Sequence, residues 1–317
     1  MANKFPILDL HCDTASEMLD GRSLYENDGM VSIKKLQDGG VFCQFFAIFV
    51  KMSDHASPQD GYVHFRKIYD NFMGDLIKNW DHIALARTAK EISEIRGDGK
   101  IAAVLTLEEG GILDGKLERL DELYELGIRL ITLSWNFDNC ISSPNSPEPD
   151  LMKKGLKPFG IEVVKRMQEL GIIVDISHLS DGGFWDVVRE SKKPFMASHS
   201  NARSLRDHPR NLTDDMLKAL ADAGGVTGIN FFHRFLGTDE TGSLQQMISH
   251  IKHIQKTAGI EAIALGSDFD GFGGACDLKD CSQFPILSDA LSKAGYSDDD
   301  IEKICWKNAM RVIEAVM

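Results

Sequence analysis

The chain has 317 residues, with 35 Lys or Arg against 48 Asp or Glu, so its formal net charge is −13 at pH 7. Hydrophobic residues make up 43% and charged residues 26%, a globular composition that excludes a disordered or fibrous protein. The acidic balance argues against nucleic acid or an anionic membrane as the main partner, because both require a positively charged surface.

The sequence shows neither a transmembrane segment nor a recognisable signal peptide. No run of 18 apolar residues occurs, and Lys4 leads directly into a short apolar strand. The six cysteines are scattered without CxxC pairing, which favours reduced thiols. We therefore expect a cytoplasmic protein with no membrane partner. A homodimer is compatible with the sequence, which does not determine the oligomeric state.

Eight short apolar segments, each bounded by turn residues, recur along the whole chain. Near-continuous apolar strands are what a parallel sheet covered on both faces requires. We therefore predict strands at residues 6–11, 41–50, 101–107, 128–135, 172–178, 194–199, 225–231 and 262–268.

Segments with helical spacing lie between these strands. Leucines recur every three residues from 117 to 126, and a similar apolar pattern runs from 159 to 170; a glycine follows each as a stop signal. Thr213 is predicted to cap a helix whose first turn is acidic. Further helices are predicted at roughly 59–80, 243–258 and 299–316.

Strands that alternate with helices favour a closed (β/α)8 barrel, with residues 1–317 as a single domain. A doubly wound open sheet is the structural alternative. We find no internal repeat, low-complexity tract or linker. The Pro- and Ser-rich segment 139–150 is predicted to form a long loop over the barrel mouth after the fourth strand.

Polar residues that can carry chemistry stand at the ends of five predicted strands. Barrel enzymes build their active sites from the carboxyl ends of the strands, so these side chains should meet at one mouth. His11 and Asp13 share a face because side chains alternate along a strand. The candidates are His11, Asp13, Glu108, His178, His199 and Asp268.

Three imidazoles and three carboxylates exceed what one structural zinc ion takes, and they suit two divalent ions with a shared bridging group. Two such ions would polarise a substrate carbonyl and lower the pKa of a bridging water to about 7. Asp268 is then the natural group to take the proton from that water and return it to a leaving amine. Taken singly, each segment also fits a core histidine, a buried polar turn or a solvated acidic pair.

The motifs at these positions resemble those of the membrane dipeptidase (renal dipeptidase, M19) family, which belongs to the binuclear-zinc amidohydrolase superfamily. The resemblance covers nearly the whole chain. It is carried by HCD at 11–13, LTLEEGG at 105–111, GLKPFG at 155–160, DISHLS at 175–180, SHSNAR at 198–203, HPRNL at 208–212 and GSDFDG at 266–271.

This resemblance implies a zinc-dependent dipeptidase that hydrolyses small dipeptides by attack of a metal-bridging hydroxide. It implies two Zn²⁺ per chain, tolerance of a D-residue at the C-terminal position of the substrate, and hydrolysis of some β-lactam amides.

The resemblance also assigns roles to individual residues. His11 and Asp13 are expected to bind one zinc ion, and His178 and His199 the second. Glu108 is expected to bridge the two ions. The number of residues from Glu108 to the next strand equals the family's spacing without a gap, whereas Glu109 would require a one-residue deletion.

Two further roles follow from the same resemblance. Asp268 matches the family's catalytic aspartate, and Arg210 matches the arginine that holds the free carboxylate of the substrate. Without the resemblance, Arg210 could instead form a surface ion pair with Asp214 or Asp215.

One position departs from the family pattern. Better-known animal members carry a histidine after the fourth strand that contacts the scissile carbonyl, whereas this chain has Trp135 and Asn136. Asn136 is a candidate to donate its amide N–H to the substrate, or the metals alone could stabilise the developing charge. Trp135 could simply pack at the barrel rim.

Two other function classes remain open at this point. One is a different amidohydrolase that acts on N-acyl amino acids, cyclic amides or phosphoesters. The other is a barrel without catalytic activity that serves as an interaction or scaffold protein.

Overall fold

The computed structural model describes residues 4–317. Its strands, in chain order, are β1 (Ile7–Cys12), β2 (Val41–Phe49), β3 (Ile83–Leu85), β4 (Ile101–Glu108), β5 (Ile128–Thr132), β6 (Ile173–Asp175), β7 (Met196–Ala197), β8 (Val226–Ile229), β9 (Thr241–Gly242), β10 (Ile263–Leu265) and β11 (Ala275–Cys276). Its α-helices are α1 (Thr14–Glu17), α2 (Ile33–Asp38), α3 (Pro58–Lys78), α4 (Ala89–Gly97), α5 (Glu118–Glu125), α6 (Pro149–Met152), α7 (Pro158–Leu170), α8 (Asp181–Glu190), α9 (Asp214–Asp222), α10 (His233–Leu236), α11 (Leu244–Ala258), α12 (Phe284–Lys293), α13 (Asp298–Glu302) and α14 (Asn308–Val316).

Eight parallel strands close into a barrel. Around the ring they follow the order β1, β2, β4, β5, β6, β7, β8 and β10, and the pairing of β2 with β4 completes the closure. The predicted (β/α)8 barrel is therefore confirmed, and the doubly wound open sheet is wrong. Each of the eight predicted strands corresponds to a barrel strand.

Two strand features lie outside the ring. The short strand β3 pairs with the beginning of β4, and β9 pairs with β11 in a separate two-stranded sheet. None of these three strands was predicted from the sequence. They are only two or three residues long.

The predicted helices are present, and their ends agree with local chemistry. Thr213 caps α9 by accepting the N–H of Met216, and Gly171 follows α7 with a φ of 82°. The helix predicted at 299–316 is interrupted by a π-helical segment, Lys303–Lys307. Within residues 4–317, seven α-helices were not predicted: α1, α2, α4, α6, α8, α10 and α12.

Apolar side chains fill two layers on either side of the strands. The inner layer lies within the barrel and includes Leu10, Phe45, Val104 and Met196, together with the apolar face of α14. The outer layer packs the strands against the surrounding helices. With both faces covered, the strands carry the near-continuous apolar sequences that the prediction used.

No helix within residues 4–317 combines the length and the apolar character needed to cross a bilayer.

Candidate active site

Six buried side chains from five strands meet at the carboxyl end of the barrel. They follow or end β1, β4, β6, β7 and β10, and each is 9% exposed or less. They are His11, Asp13, Glu108, His178, His199 and Asp268, which we call the six-residue cluster. The structure thus brings together all six residues that the sequence predicted to meet.

Glu108 lies at the centre of the six-residue cluster. Its Oε1 is 3.0 Å from Nε2 of His178 and 3.8 Å from Nε2 of His199. Its Oε2 is 3.5 Å from Nε2 of His11, which is itself 3.3 Å from Oδ2 of Asp13 and 3.7 Å from Oδ1 of Asp268. The two oxygens of Glu108 therefore face two different sets of nitrogen and oxygen donors.

Several buried polar atoms in this cluster lack the partners that such atoms normally have. Nδ1 of His11 and Oδ1 of Asp13 make no hydrogen bond within residues 4–317. Nε2 of His178 and Nε2 of His199 are only 3.0 Å apart, with their rings 5.1 Å from centroid to centroid. Buried polar groups are otherwise almost always paired, so a further group is expected among these atoms.

A divalent cation fits this set of donors. Two overlapping trios each place their ligand atoms within 4.8 Å of one another. One is His11, Glu108 and His199, and the other is His11, Asp13 and Asp268. Imidazole nitrogens and carboxylate oxygens are the donors that zinc and similar divalent ions accept.

Burial and mutual charge shift the protonation of these side chains. Burial, with the charge of Glu108, raises the pKa of Asp13 to about 8. Burial would also raise the pKa of Glu108, but the facing imidazoles of His11 and His178 lower it below its usual range. Burial and nearby Arg210 lower the pKa of His178 to about 4, and the neutral imidazole is the form that binds metals.

Unusual backbone conformations aim two of the six side chains. His178 and Asp268 have φ values of 67° and 64°, in the left-handed region that side chains other than glycine seldom occupy. Backbone contacts hold both turns: the N–H of Asn145 donates to the carbonyl of His178, and the N–H of Asp268 donates to that of His11. Such strain persists where the surroundings fix it, commonly at functional sites.

Hydrogen bonds at Nδ1 orient two of the histidines. Oγ of Ser198 lies 2.7 Å from Nδ1 of His199, and Oδ1 of Asn136 lies 2.9 Å from Nδ1 of His178. Ser198 can accept because its own hydroxyl hydrogen goes to Asp175, at 2.6 Å. An acceptor at Nδ1 places the ring proton there, which leaves the Nε2 lone pair for a cation.

Of the two adjacent glutamates, only Glu108 faces the cluster. The carboxylate of Glu109 accepts the backbone N–H groups of Gly111 and Trp135, at 2.7 and 2.9 Å, and the side-chain amide of Asn139. Glu109 therefore links the loop that follows β4 to the loop that follows β5 through hydrogen bonds.

Arg210 lies buried beside the six-residue cluster, at 4% exposure. Its Nη1 donates to Oγ of Ser200 and its Nη2 to the carbonyl of His199, at 3.2 and 3.3 Å, while its buried Nε has no partner among residues 4–317. The alternative of a surface ion pair is wrong: Asp214 instead binds His253, at 2.8 Å. Burial lowers the pKa of Arg210 to about 10, so the guanidinium remains charged at neutral pH.

Asp268 is held by one of its two carboxylate oxygens. Oδ2 accepts the side-chain amide of Asn230 at 2.8 Å, and Oδ1 faces His11. Burial raises the pKa of Asp268 to about 6. Asn230 was not predicted as a site residue, since an asparagine that follows a strand gives no distinctive sequence signal.

Asn136 is exposed at the rim, and its oxygen contacts His178. Its expected role as an amide donor to the substrate stays a prediction. The ring of Trp135 packs at the rim against Phe49 and Phe137, and Trp135 also borders the cavity above the cluster.

A cavity of about 270 Å³ opens above the cluster. Besides cluster residues and Asn136, aromatic rings and two more carboxylates line it: Phe49, Trp135, Phe232, Phe235, Glu17 and Asp270. The predicted long loop borders this region, where the N–H and side-chain amide of Asn145 both donate to the carbonyl of His178.

Two buried aspartates, Asp9 and Asp175, were missed by the sequence analysis. Each sits inside a barrel strand and is fully buried. A charged residue within an otherwise apolar strand, as in ILDL or IVDI, is the signal that could have found them.

Comparison with known proteins agrees with this geometry. The family model "Membrane dipeptidase (Peptidase family M19)" matches residues 1–317. Dipeptidase verJ of Clonostachys rogersoniana is 34% identical over 295 residues, which cover 90% of this chain and 75% of that protein.

Two solved structures share the fold. One, described as dipeptidase AC, a metallopeptidase of family M19, has a TM-score of 0.90, 24% identity and coverage of 98% of both chains. The other, a metallopeptidase from Rhodobacter sphaeroides with a phosphinate mimic of L-Ala-D-Ala bound, has a TM-score of 0.89, 24% identity and 99% coverage of both chains. With its whole length matched, this chain belongs to the membrane dipeptidase family, peptidase family M19, as the resemblance of its motifs implied.

Proposed function

We propose that this metal-dependent dipeptidase binds two zinc ions and hydrolyses the peptide bond of free dipeptides, including those of the L-Xaa-D-Xaa type. The observation that carries the proposal is a buried arginine, Arg210, beside six clustered metal-binding side chains. The dipeptidase name of the fungal relative and the dipeptide mimic bound to the bacterial structure support the substrate class.

The donor geometry supports a division of the ligands into two sets. His11 and Asp13 would hold one ion, His178 and His199 the other, and Glu108 would contact both. Support comes from Glu108, because Oε1 faces His178 and His199 whereas Oε2 faces His11. A pair of divalent ions, when bound, supplies polarisation of the substrate carbonyl and acidification of a water molecule.

Arg210 would bind the terminal carboxylate of the dipeptide. Within residues 4–317 its guanidinium has no carboxylate partner, and its Nε is unpaired in a buried position. A guanidinium can bind a carboxylate through two parallel hydrogen bonds, which fixes the orientation of the substrate. A single buried anchor for a C-terminus selects short substrates that end next to the scissile bond.

Asp268 would move the proton in the reaction. Asn230 holds its Oδ2, so Oδ1 remains directed at the cluster, where the scissile bond must lie. From that position the carboxyl group can accept a proton from the attacking water and donate it to the departing amine. Asn136, whose oxygen contacts His178 at the rim, would donate its amide N–H to the substrate carbonyl.

Metal analysis and a dipeptide panel test the proposal. The purified protein is chelated, reloaded with zinc and assayed with L,L and L,D dipeptides and with N-acyl amino acids. We expect about two zinc ions per chain, and dipeptide hydrolysis that chelation abolishes and zinc restores. Absence of turnover with every dipeptide would contradict the proposal.

An arginine pair isolates the role of the buried guanidinium. Arg210→Ala should raise KM for dipeptides strongly while metal content stays constant. Arg206→Ala is the matched control, because Arg206 lies on the same loop but donates to the carbonyl of Arg234 instead of facing the cluster. Equal effects of the two substitutions would remove Arg210 from the carboxylate site.

We further propose that residues 1–317 form a single domain and that the protein is cytoplasmic. A homodimer is the oligomeric state to be tested. Cell fractionation and light scattering of the purified protein test the location and the oligomeric state.

A further inference from the structure

The barrel mouth has two aromatic sides that face each other across the cluster. Arg210 follows β7, and Phe235 follows β8, with the guanidinium carbon 5.3 Å from the centre of that ring. In the closed ring of eight strands, β7 is the fourth strand from β2 in either direction, and β8 is likewise opposite β4. Phe49, which ends β2, therefore stands across the mouth from Arg210.

Opposite Phe235, an apolar wall extends from Phe49, which ends β2, to Trp135, which follows β5. The rings of Phe49 and Trp135 are 4.8 Å apart from centroid to centroid and tilted by 58°. The ring of Trp135 also lies 6.1 Å from that of His178, so the wall reaches the edge of the six-residue cluster. Both aromatic residues are only partly buried and border the cavity, which leaves apolar surface for a ligand to cover.

The position of Arg210 decides which part of a dipeptide meets this wall. With the terminal carboxylate on Arg210, the C-terminal residue lies on the side of Phe232 and Phe235. The scissile carbonyl lies over the cluster. The N-terminal residue must then extend toward the far side of the mouth, where Phe49 and Trp135 stand.

We propose that Phe49 and Trp135 form the binding site for the side chain of the N-terminal residue, and that the preferred substrates are dipeptides whose first residue is large and apolar or aromatic. This inference rests on the proposed function, because it takes Arg210 as the anchor of the carboxylate. Aromatic walls bury large apolar areas and prefer tilted or edge-to-face contact with other rings. Removal of such a wall selectively weakens substrates that fill it, by about 10-fold or more in kcat/KM.

Truncation of Trp135 is a clean test because its backbone is held independently of its ring. The N–H of Trp135 donates to Glu109, at 2.9 Å, and this bond survives substitution by alanine. Phe137 provides a matched control: its ring packs 5.6 Å from that of Trp135 and is 40% exposed, but it does not line the cavity.

The experiment measures kcat/KM of zinc-loaded wild type, Trp135→Ala and Phe137→Ala. Two substrate series are used in the stereochemistry that the wild type prefers. One series varies the first residue through Ala, Leu and Phe with Ala second, and the other varies the second residue with Ala first. We expect wild type to favour Leu and Phe at the first position. Trp135→Ala should reduce that preference about 10-fold or more, with little effect on the preference at the second position.

The outcomes separate this inference from the function on which it rests. If wild type hydrolyses no dipeptide, the proposed function fails. If wild type is active but Trp135→Ala lowers all substrates by the same factor, or alters only the second position, the assignment of the wall is overturned. Zinc content and melting temperature are measured for every variant. Trp135→Phe and Phe49→Leu, which keep an apolar wall of different shape, replace Trp135→Ala should it lose its fold, and they are judged by the same change in preference.

Discussion

The carboxylate of Asp175 accepts both the backbone N–H and the hydroxyl of Ser198, at 2.8 and 2.6 Å. The same pair of bonds recurs elsewhere in the barrel, where Asp9 accepts the N–H and the hydroxyl of Ser267 at 2.8 and 2.7 Å. Each serine immediately precedes a residue of the cluster, His199 or Asp268. Each buried aspartate therefore links two strands that are adjacent in the barrel. It thereby fixes the position of the cluster residue that follows the serine.

The glycines beside this network show how closely the strands approach it. A Cβ atom on Gly228 or on Gly266 would collide with the carbonyl oxygen of Ser198. The backbone at Ser198 therefore has no room to shift. With the backbone fixed, the orientation of the His199 ring depends on the hydrogen bonds that Ser198 makes with Asp175 and with Nδ1 of His199.

Substitution of Ser198 by alanine should weaken metal binding without unfolding the barrel. The change removes the acceptor at Nδ1 of His199, so the ring tautomer and orientation are no longer fixed. Loss of such a supporting contact typically lowers metal affinity by about 10- to 100-fold. Competition for zinc with a chromophoric chelator measures the change.

Ser249→Ala serves as the control, because among residues 4–317 that hydroxyl bonds only within α11, to the carbonyl of Gln245. If Ser198→Ala bound zinc as tightly as the control, the orienting role of Ser198 would have to be abandoned.

The two adjacent glutamates should give opposite results when each is changed to glutamine. Glu108→Gln removes the carboxylate that faces three histidines, and we expect the protein to lose bound zinc. Glu109→Gln should keep its zinc but lower the free energy of unfolding, because an amide replaces a buried carboxylate that accepts three hydrogen bonds. The expected loss is about 1–3 kcal/mol.

Metal analysis and urea denaturation of both variants distinguish the two roles. Loss of zinc from Glu109→Gln together with full occupancy in Glu108→Gln would reverse the assignment of the two glutamates.

The features that could be predicted from the sequence are those with a signal inside a single segment. Apolar strands located the barrel, and His11, His178 and His199 could be recognised because each apolar segment ends at an imidazole. Asp175 and Ser198 were missed because their function depends on a contact between two strands, which has no signature in either strand alone. The contact of Asn230 with Asp268 and the contact between Phe49 and Trp135 could not be predicted for the same reason. Each joins residues from different strands and forms only when the barrel closes.

Asp268→Asn should separate catalysis from metal binding. Asparagine preserves the shape of the side chain and the contact with Asn230, but it cannot accept and return a proton. We expect kcat to fall by about 10²- to 10⁴-fold, which is the usual contribution of general acid–base catalysis. Zinc content measured on the same sample should remain near that of wild type.

Asn230→Ala is the companion variant, because it leaves Asp268 ionisable but frees its Oδ2. It should lower kcat less than Asp268→Asn does. A variant Asp268→Asn that retained wild-type kcat would rule out the proton-transfer role.

The buried side chain of His250 should make stability depend on pH. Its Nδ1 accepts the N–H of Ala202 and its Nε2 donates to the carbonyl of Leu236, each at 3.1 Å, so the fold requires a neutral ring. Burial lowers the pKa of His250 to about 4, whereas an unfolded histidine has a pKa of about 6.5. Below pH 6.5 the unfolded chain therefore binds a proton that the folded chain does not.

The sign of the effect follows from this difference. The contribution of His250 is fully present above about pH 6.5 and is lost as the pH falls toward 4, at up to about 1.4 kcal/mol per pH unit. Urea unfolding of metal-free wild type and His250→Gln between these pH values measures it, because chelation makes the cluster histidines titrate equally in both proteins. As the pH falls, the free energy of unfolding of wild type should decrease more steeply than that of His250→Gln. The difference in slope should correspond to nearly one proton taken up on unfolding, or about 1.4 kcal/mol per pH unit. Parallel slopes would mean that the ring of His250 takes up its proton equally in the folded and the unfolded chain, which would contradict the neutral, doubly hydrogen-bonded ring.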